Sequence, residues 1–259
     1  MWNIMKAQCY QLKRDRFTIC ALLFCAGIYT AFVINTAMGM EDINGGMMFY
    51  ASSEMLGVFA LLITLILTAR ICAWDFQDKT INYEVAFGHK RGEVMGARIL
   101  LSYALCPVVF TFLWGVPVLY GVMMGGWGPN LDMPDTLFRI LLEYTVLLRM
   151  VAEFILLSFL IRNSYITMVF GYFGIGILAM PSSLIENNEN ILWTSSLNEM
   201  LELLSYSNSK NVFVDGKEVS FLISELSPVV VRNLLISSVA FGILFLVLAY
   251  LSFKKSDMK

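Results

Sequence analysis

The sequence predicts an all-α membrane protein of six transmembrane helices, and three observations carry that expectation. Of its 259 residues, 58% are hydrophobic and only 15% are charged, whereas a soluble domain carries about 25% charged and 45–50% apolar residues. The apolar residues fall in runs, and a spanning helix needs about 20 of them in succession. The loops between the runs divide by charge, Lys and Arg lying almost entirely on one side.

A basic segment opens the chain. Trp2, Met5, Cys9 and Leu12 recur at helical spacing, with Lys6, Gln8, Gln11 and Lys13 on the other faces. That pattern predicts an amphipathic helix over residues 1–16 lying in the membrane interface, its basic face toward anionic headgroups. The apolar run from Phe17 to Met38 follows a charged n-region. It is long enough to span and lacks a clear small-residue cleavage site, so it reads as a retained helix rather than a signal peptide.

Five further runs qualify: Glu54 to Trp74, Ile99 to Met124, Leu137 to Ile161, Tyr165 to Pro181 and Val229 to Phe253. Six spans place both termini on one side. On that side lie Lys6, Lys13, Arg14, Arg16, Arg70, Lys79, Lys90, Arg91, Arg98, Arg162, Lys254, Lys255 and Lys259. The opposite loops hold Lys210 and Lys217, with Arg139 and Arg232 near helix ends. Lys and Arg concentrate in cytoplasmic loops, so both termini are expected in the cytoplasm. The chain then forms one transmembrane domain, residues 1–259, with a cytoplasmic connection at 70–98 and a long outer loop at 182–228. In that loop Ile191, Leu192, Leu197, Leu201 and Leu204 suggest a short amphipathic helix. Beyond it, Asp215-Gly216 between Val212–Val214 and Val219–Phe221 has the pattern of a hairpin. Trp127 and Trp193 stand where interface anchors belong.

Several chemistries lack their residues. The single histidine, His89, cannot build a zinc site that normally takes three or four ligands. No GxxxxGK[ST] phosphate-binding loop is present, so any ATP-driven work must come from a partner, and nothing indicates an enzyme acting alone. Cys9, Cys20, Cys25, Cys72 and Cys106 lie in apolar runs or on the cytoplasmic side, where disulfides are not expected.

Inside the membrane, charge is costly unless paired or hydrated. The fourth run nevertheless carries Glu143, Arg149 and Glu153. Arg149 and Glu153, spaced i,i+4, share a helix face and can pair, while Glu143 lies on a different face. They can serve a substrate path or a dimer contact, or simply fix helix packing. Phe17, Phe24, Phe32, Phe110, Phe112 and Trp114 could line an apolar path or face lipid.

The cytoplasmic connection carries the most specific pattern. Thr80 or Asp78 can cap a short helix over Ile81 to Phe87, Gly88 is placed to end it, and His89-Lys90-Arg91 form a basic turn. The succession Asp75-Phe76, Thr80-Ile81, an apolar stretch, Gly88, Arg91 and Arg98 resembles the ABC-2 type transporter permeases, as does the layout of an amphipathic helix, six spans and a large loop between the fifth and sixth. Lys79 departs from the family, which often has Gly before the Thr, and that touches the docking contacts rather than the topology. The resemblance implies that Asp75, Phe76, Thr80, Ile81, Tyr83, Glu84, Phe87, Gly88, Lys90 and Arg91 form a coupling helix that docks on a cytosolic ATP-binding subunit. It also implies a second permease subunit, identical or not. ATP and Mg would sit on the ATPase partner, leaving no cofactor on this chain, in a bacterial-type cytoplasmic membrane. Small permeases of this size resemble the subunits that export, or confer immunity against, antimicrobial peptides such as lantibiotics and bacitracin. The residues alone leave two rivals: an ion-coupled secondary transporter using Glu143, Arg149 and Glu153, and a membrane sensor whose outer loop binds a ligand.

Overall fold

A computed structural model describes residues 1–39, 43–77, 80–81, 84, 87–183, 196–204, 206, 208–214, 217–223 and 226–255. Nine helices are labelled among them: α1 (Trp2–Arg14), α2 (Arg16–Met38), α3 (Gly45–Cys72), α4 (Trp74–Gln77), α5 (Arg91–Gly125), α6 (Met133–Ile161), α7 (Ser164–Ser183), α8 (Ser196–Leu204) and α9 (Pro228–Lys255). Between α8 and α9 lies an antiparallel pair, β1 (Asn208–Val214) and β2 (Lys217–Ile223), in register from Asn208 opposite Ile223 to Val214 opposite Lys217. The hairpin thus forms where the alternating pattern put it, its turn residues Asp215 and Gly216 lying outside the described residues.

Five helices are long and apolar enough to cross a membrane among the described residues: Arg16–Met38, Met55–Gln77, Arg91–Gly125, Met133–Ile161 and Pro228–Lys254. This is the signature of a multi-pass membrane protein. The fifth expected run, Tyr165 to Pro181, falls in α7, a helix of 20 residues. Several elements outrun their apolar cores. α3 begins at Gly45 rather than Glu54, and α5 begins at Arg91, eight residues before its apolar run. At 1.5 Å per residue the 35 residues of α5 reach about 50 Å, well past a hydrocarbon core of about 30 Å. Hydropathy detects the part that lipid requires and misses the polar turns that extend it.

α3 is the central helix, packed against α2, α5, α6, α7 and α8, while α9 packs chiefly on α6. The α3 span is accordingly 78% buried, against 22% for α2 and for α9. The helices alternate in direction, giving the bundle a basic end (Arg14, Arg70, Arg91, Arg162, Lys254) and an acidic end (Asp132, Asp135, Glu199).

At the acidic end the backbone itself makes the joint. Gly45 and Gly46 donate to the carbonyls of Gly126 and Trp127, both at 2.8 Å. Asn44 caps α3 by accepting from Met47 N at 3.0 Å and also donates to Asn130 Oδ1 at 2.9 Å. Helices approach this closely only without side chains between them. A Cβ on Gly121 would lie 2.5 Å from the Asn44 carbonyl oxygen. Trp127 donates its indole N–H to Leu131 O at 2.7 Å, holding the turn into α6. At the basic end Arg162 ends α6 in the left-handed region, φ 58°, and Asn163 caps α7 by accepting from Ile166 N.

α1 is helical but turned from the expected face. Ile4 and Gln8 are its buried residues, Met5, Cys9 and Leu12 are half-buried, and Trp2 is 66% exposed. Tertiary contact with α5 and with the start of α2 moves the seam by one position.

Candidate functional site

Among the described residues, three buried polar clusters are built around arginines, and two of them sit at the basic end. The first gathers around Asp75, which is 1% exposed. Its Oδ2 accepts from Gln8 Nε2 and from Arg98 Nη2, each at 2.5 Å, and its Oδ1 accepts from the Thr80 hydroxyl at 2.9 Å. Arg98 is fully buried, and its Nη2 also donates to Glu84 Oε2 at 2.9 Å. Its Nη1 donates to the Val94 carbonyl at 3.2 Å. One carboxylate and one guanidinium therefore tie α1, α4, the helical residues Thr80, Ile81 and Glu84, and α5 into a single unit. A buried ion pair of this kind is maintained by geometry, because losing either partner strands the other's charge.

Beside it Phe76 meets Phe159 at 5.8 Å and Phe253 at 5.9 Å between ring centroids, and those two meet each other at 5.3 Å. The trio presses α4 onto α6 and α9. Ile81 is 1% exposed. Of the two expected caps, Thr80 is itself helical and spends its hydroxyl on Asp75, and Asp78 lies outside the described residues.

The expected docking residues thus separate into two groups. Asp75, Phe76, Thr80, Ile81 and Glu84 form a base turned into the protein. Phe87, Gly88, Lys90 and Arg91 form an exposed tip, with Phe87 85% exposed. Gly88 has φ 89°, the left-handed conformation that glycine adopts at little cost and that commonly ends a helix. His89 N donates back to Glu84 O at 3.3 Å, closing the turn. Arg91 Nη1 reaches the Lys254 carbonyl at 3.4 Å. Tyr83 lies outside the described residues.

The second cluster centres on Arg70, 5% exposed, whose guanidinium lies 3.9 Å from the Trp74 ring centroid, 4.7 Å from that of Phe17 and 5.4 Å from that of Tyr165. It pairs with Asp15 at 2.8 Å and donates to Thr18 Oγ1 at 3.2 Å. Asp15 also caps α2 by accepting from Phe17 N at 3.1 Å. Sequence reasoning used Arg70 only to orient the chain and did not pair it with Asp15, although Asp15 between Arg14 and Arg16 at the start of an apolar run is an N-cap signal.

The third cluster lies toward the acidic end. Arg149 and Glu153 do pair, Nε to Oε1 at 3.2 Å. A stronger partner comes from α8: both Glu199 carboxylate oxygens accept from Arg149 Nη1 at 2.9 Å. Ser237 of α9 donates to Glu199 Oε1 at 2.8 Å, and Ser196 donates to Glu153 Oε2 at 2.6 Å. Arg139 holds the other end of α8, donating to Leu203 O at 3.0 Å while pairing with Asp135 at 2.7 Å. Glu143 stands apart, fully buried, with neither carboxylate oxygen hydrogen-bonded among the described residues. Glu199 was missed because it lies in the long loop before the last apolar run, 50 residues from Arg149 in the chain. Its only local signal is a Ser196-x-x-Glu199 spacing of the capping-box type.

An apolar groove of about 780 Å³ runs between α2, α3 and α5, lined among others by Leu22, Tyr29, Val33, Ile63, Phe112 and Tyr120. Of the aromatic residues expected along an apolar path, Phe112 lines it. Phe110 is buried against Tyr144, and Phe24 and Phe32 are exposed. No protein-family model matches the chain, and no curated protein sequence matches it.

Proposed function

We propose that this chain is the membrane subunit of an ATP-driven exporter of the ABC-2 permease type, working as a dimer with two cytosolic ATP-binding subunits. In this reading α7 also crosses the membrane, as the fifth of six spans, the basic end faces the cytoplasm, and both termini lie there with α1 in the interface. The observation that carries it is the division of the 75–91 segment into a buried base and an exposed tip. A loop that only joins two spans has no need of a fully buried arginine bracing it against α1 and α5. A loop that must carry force does. ATP-driven closure of the partner pushes on Phe87, Lys90 and Arg91. The base passes the push to α5 through Arg98 and to α6 and α9 through Phe76. An amphipathic substrate, a peptide or lipid-like antibiotic, is the cargo that the apolar groove between α2 and α5 suits.

The test is co-purification in mild detergent, with ATPase activity measured on the eluate. A cytosolic ATPase is expected with the parent chain and lost with Phe87→Ala combined with Lys90→Glu, which touch only the exposed tip. A chain that purifies without an ATPase, or a tip variant that retains it, would refute the proposal. The Arg149 cluster favours one second reading, a transporter coupled to an ion gradient, which predicts substrate flux with no ATPase present.

A further inference from the structure

The helix α8 has nine residues, too few to persist alone in water, where helices shorter than about 12–15 residues are marginal. Its place in the bundle is therefore set by what it touches. Met200 and Leu203 are fully buried, and Gly57 of α3 offers a flat seat on which a Cβ would lie 3.3 Å from Leu201 Cδ2 and 3.7 Å from Met200 Cβ. Its first turn is pinned at Glu199 by Arg149 and Ser237, and its last at Leu203 O by Arg139.

We propose that Glu199 is a proton-binding site that latches α8: in its carboxylic acid form the helix stays seated, and loss of the proton to water at the acidic end releases it. The charge balance of the pocket leads there. Among the described residues, the carboxyls of Glu153 and Glu199 share one guanidinium, Arg149, with Glu199 buried and Glu153 half-buried. Arg149 needs one anion, and Glu153 supplies it from the same helix without α8. Glu143, within electrostatic reach of Glu199, has no hydrogen-bond partner among the described residues. An ionised Glu199 thus adds a second negative charge beside the one guanidinium it shares with Glu153.

The charged groups acting on Glu199 come from α6, where Arg149 attracts and Glu153 repels, while α9 contributes the Ser237 hydroxyl. Burial outweighs the attraction and pushes the Glu199 carboxyl up to about 7. The sign follows: between its ordinary range and that value the seated helix holds a proton that the released helix does not. Seating is therefore strongest in acid and weakens as pH rises through about 7. This holds whatever energy source drives the protein.

A cysteine pair, Gly57→Cys with Met200→Cys, tests it in the full-length chain in lipid nanodiscs, with the five native cysteines replaced. The 3.7 Å separation at this pair suits a disulfide, whose Cβ atoms lie about 3.5–4.5 Å apart. Gly57→Cys with Leu201→Cys is the second pair. A reference pair away from α8, Gly46→Cys with Leu131→Cys, corrects for thiol chemistry. Relative to the reference, the seated-to-released ratio read from cross-linking across α8 should fall about tenfold between about pH 6 and about pH 8, one unit either side of the Glu199 midpoint. Glu199→Gln, a permanently neutral mimic of the acid form, should abolish that slope while keeping cross-linking high. Cross-linking that is flat with pH in the parent, a slope that survives in Glu199→Gln, or failure of both pairs to cross-link at any pH would overturn the proposal.

Discussion

Replacing Arg98 with methionine isolates what the basic-end cluster contributes. The substitution keeps most of the side-chain volume and the helix propensity of α5, but removes the cation that bridges Asp75 and Glu84. Glu84 is partly exposed and can turn to water. Asp75 cannot, being 1% exposed, and is left with Gln8 and Thr80 as its donors. Removing one partner of a buried pair costs about 3–5 kcal/mol. At about 2–4 °C per kcal/mol for a chain of this size, Tm should fall by roughly 6–20 °C. Asp75→Asn combined with Arg98→Met removes both charges, and the double variant should be more stable than the sum of the single losses by about 0.5–3 kcal/mol. The assay is thermal unfolding of the purified chain in one detergent, followed by intrinsic tryptophan fluorescence. A shift of under about 2 °C for Arg98→Met would mean the pair is as weak as a surface ion pair, and strictly additive losses would mean that the two side chains are not coupled. Either result would refute the claim that this cluster braces the loop.

Two further outcomes follow from packing alone. Gly121→Ala forces a methyl to within 2.5 Å of the Asn44 carbonyl oxygen, so α3 and α5 must part, at about 1–3 kcal/mol. Gly115→Ala on the same helix meets nothing within 4 Å and should be neutral or stabilising by up to about 1 kcal/mol, a contrast that thermal unfolding reads directly. A small membrane-permeant maleimide should leave buried Cys72 and Cys106 unmodified until the protein unfolds. Mass spectrometry of the intact and digested chain counts the adducts, and early labelling of Cys72 would contradict the packing of α3 against α5.

Much of the bundle was legible in the linear pattern, because lipid imposes a length and an apolar composition on each spanning segment. The pairing of Arg149 with Glu153 was legible for a similar reason, since i,i+4 spacing alone brings two side chains to one helix face. The turn at Gly88 was legible because few other residues adopt a positive φ cheaply. Helix overhang was not, since polar turns beyond the hydrocarbon carry no hydropathy signal, and those of α5 hold Arg98.

The sequence by itself determined the membrane class, the main apolar helices, the short hairpin and the presence of charge in the fourth run. Only the tertiary structure decided which charges meet. Asp75 joins Gln8 and Arg98, Arg70 joins Asp15, and Arg149 joins Glu199 across separations of 23 to 67 residues. It also divided the 75–91 connection into a buried base and an exposed tip. Local spacing fixes a side chain's direction on its own helix. What stands opposite it depends on how the helices are placed around α3, and in this bundle close backbone approaches such as Gly121 on Asn44 help to set that placement.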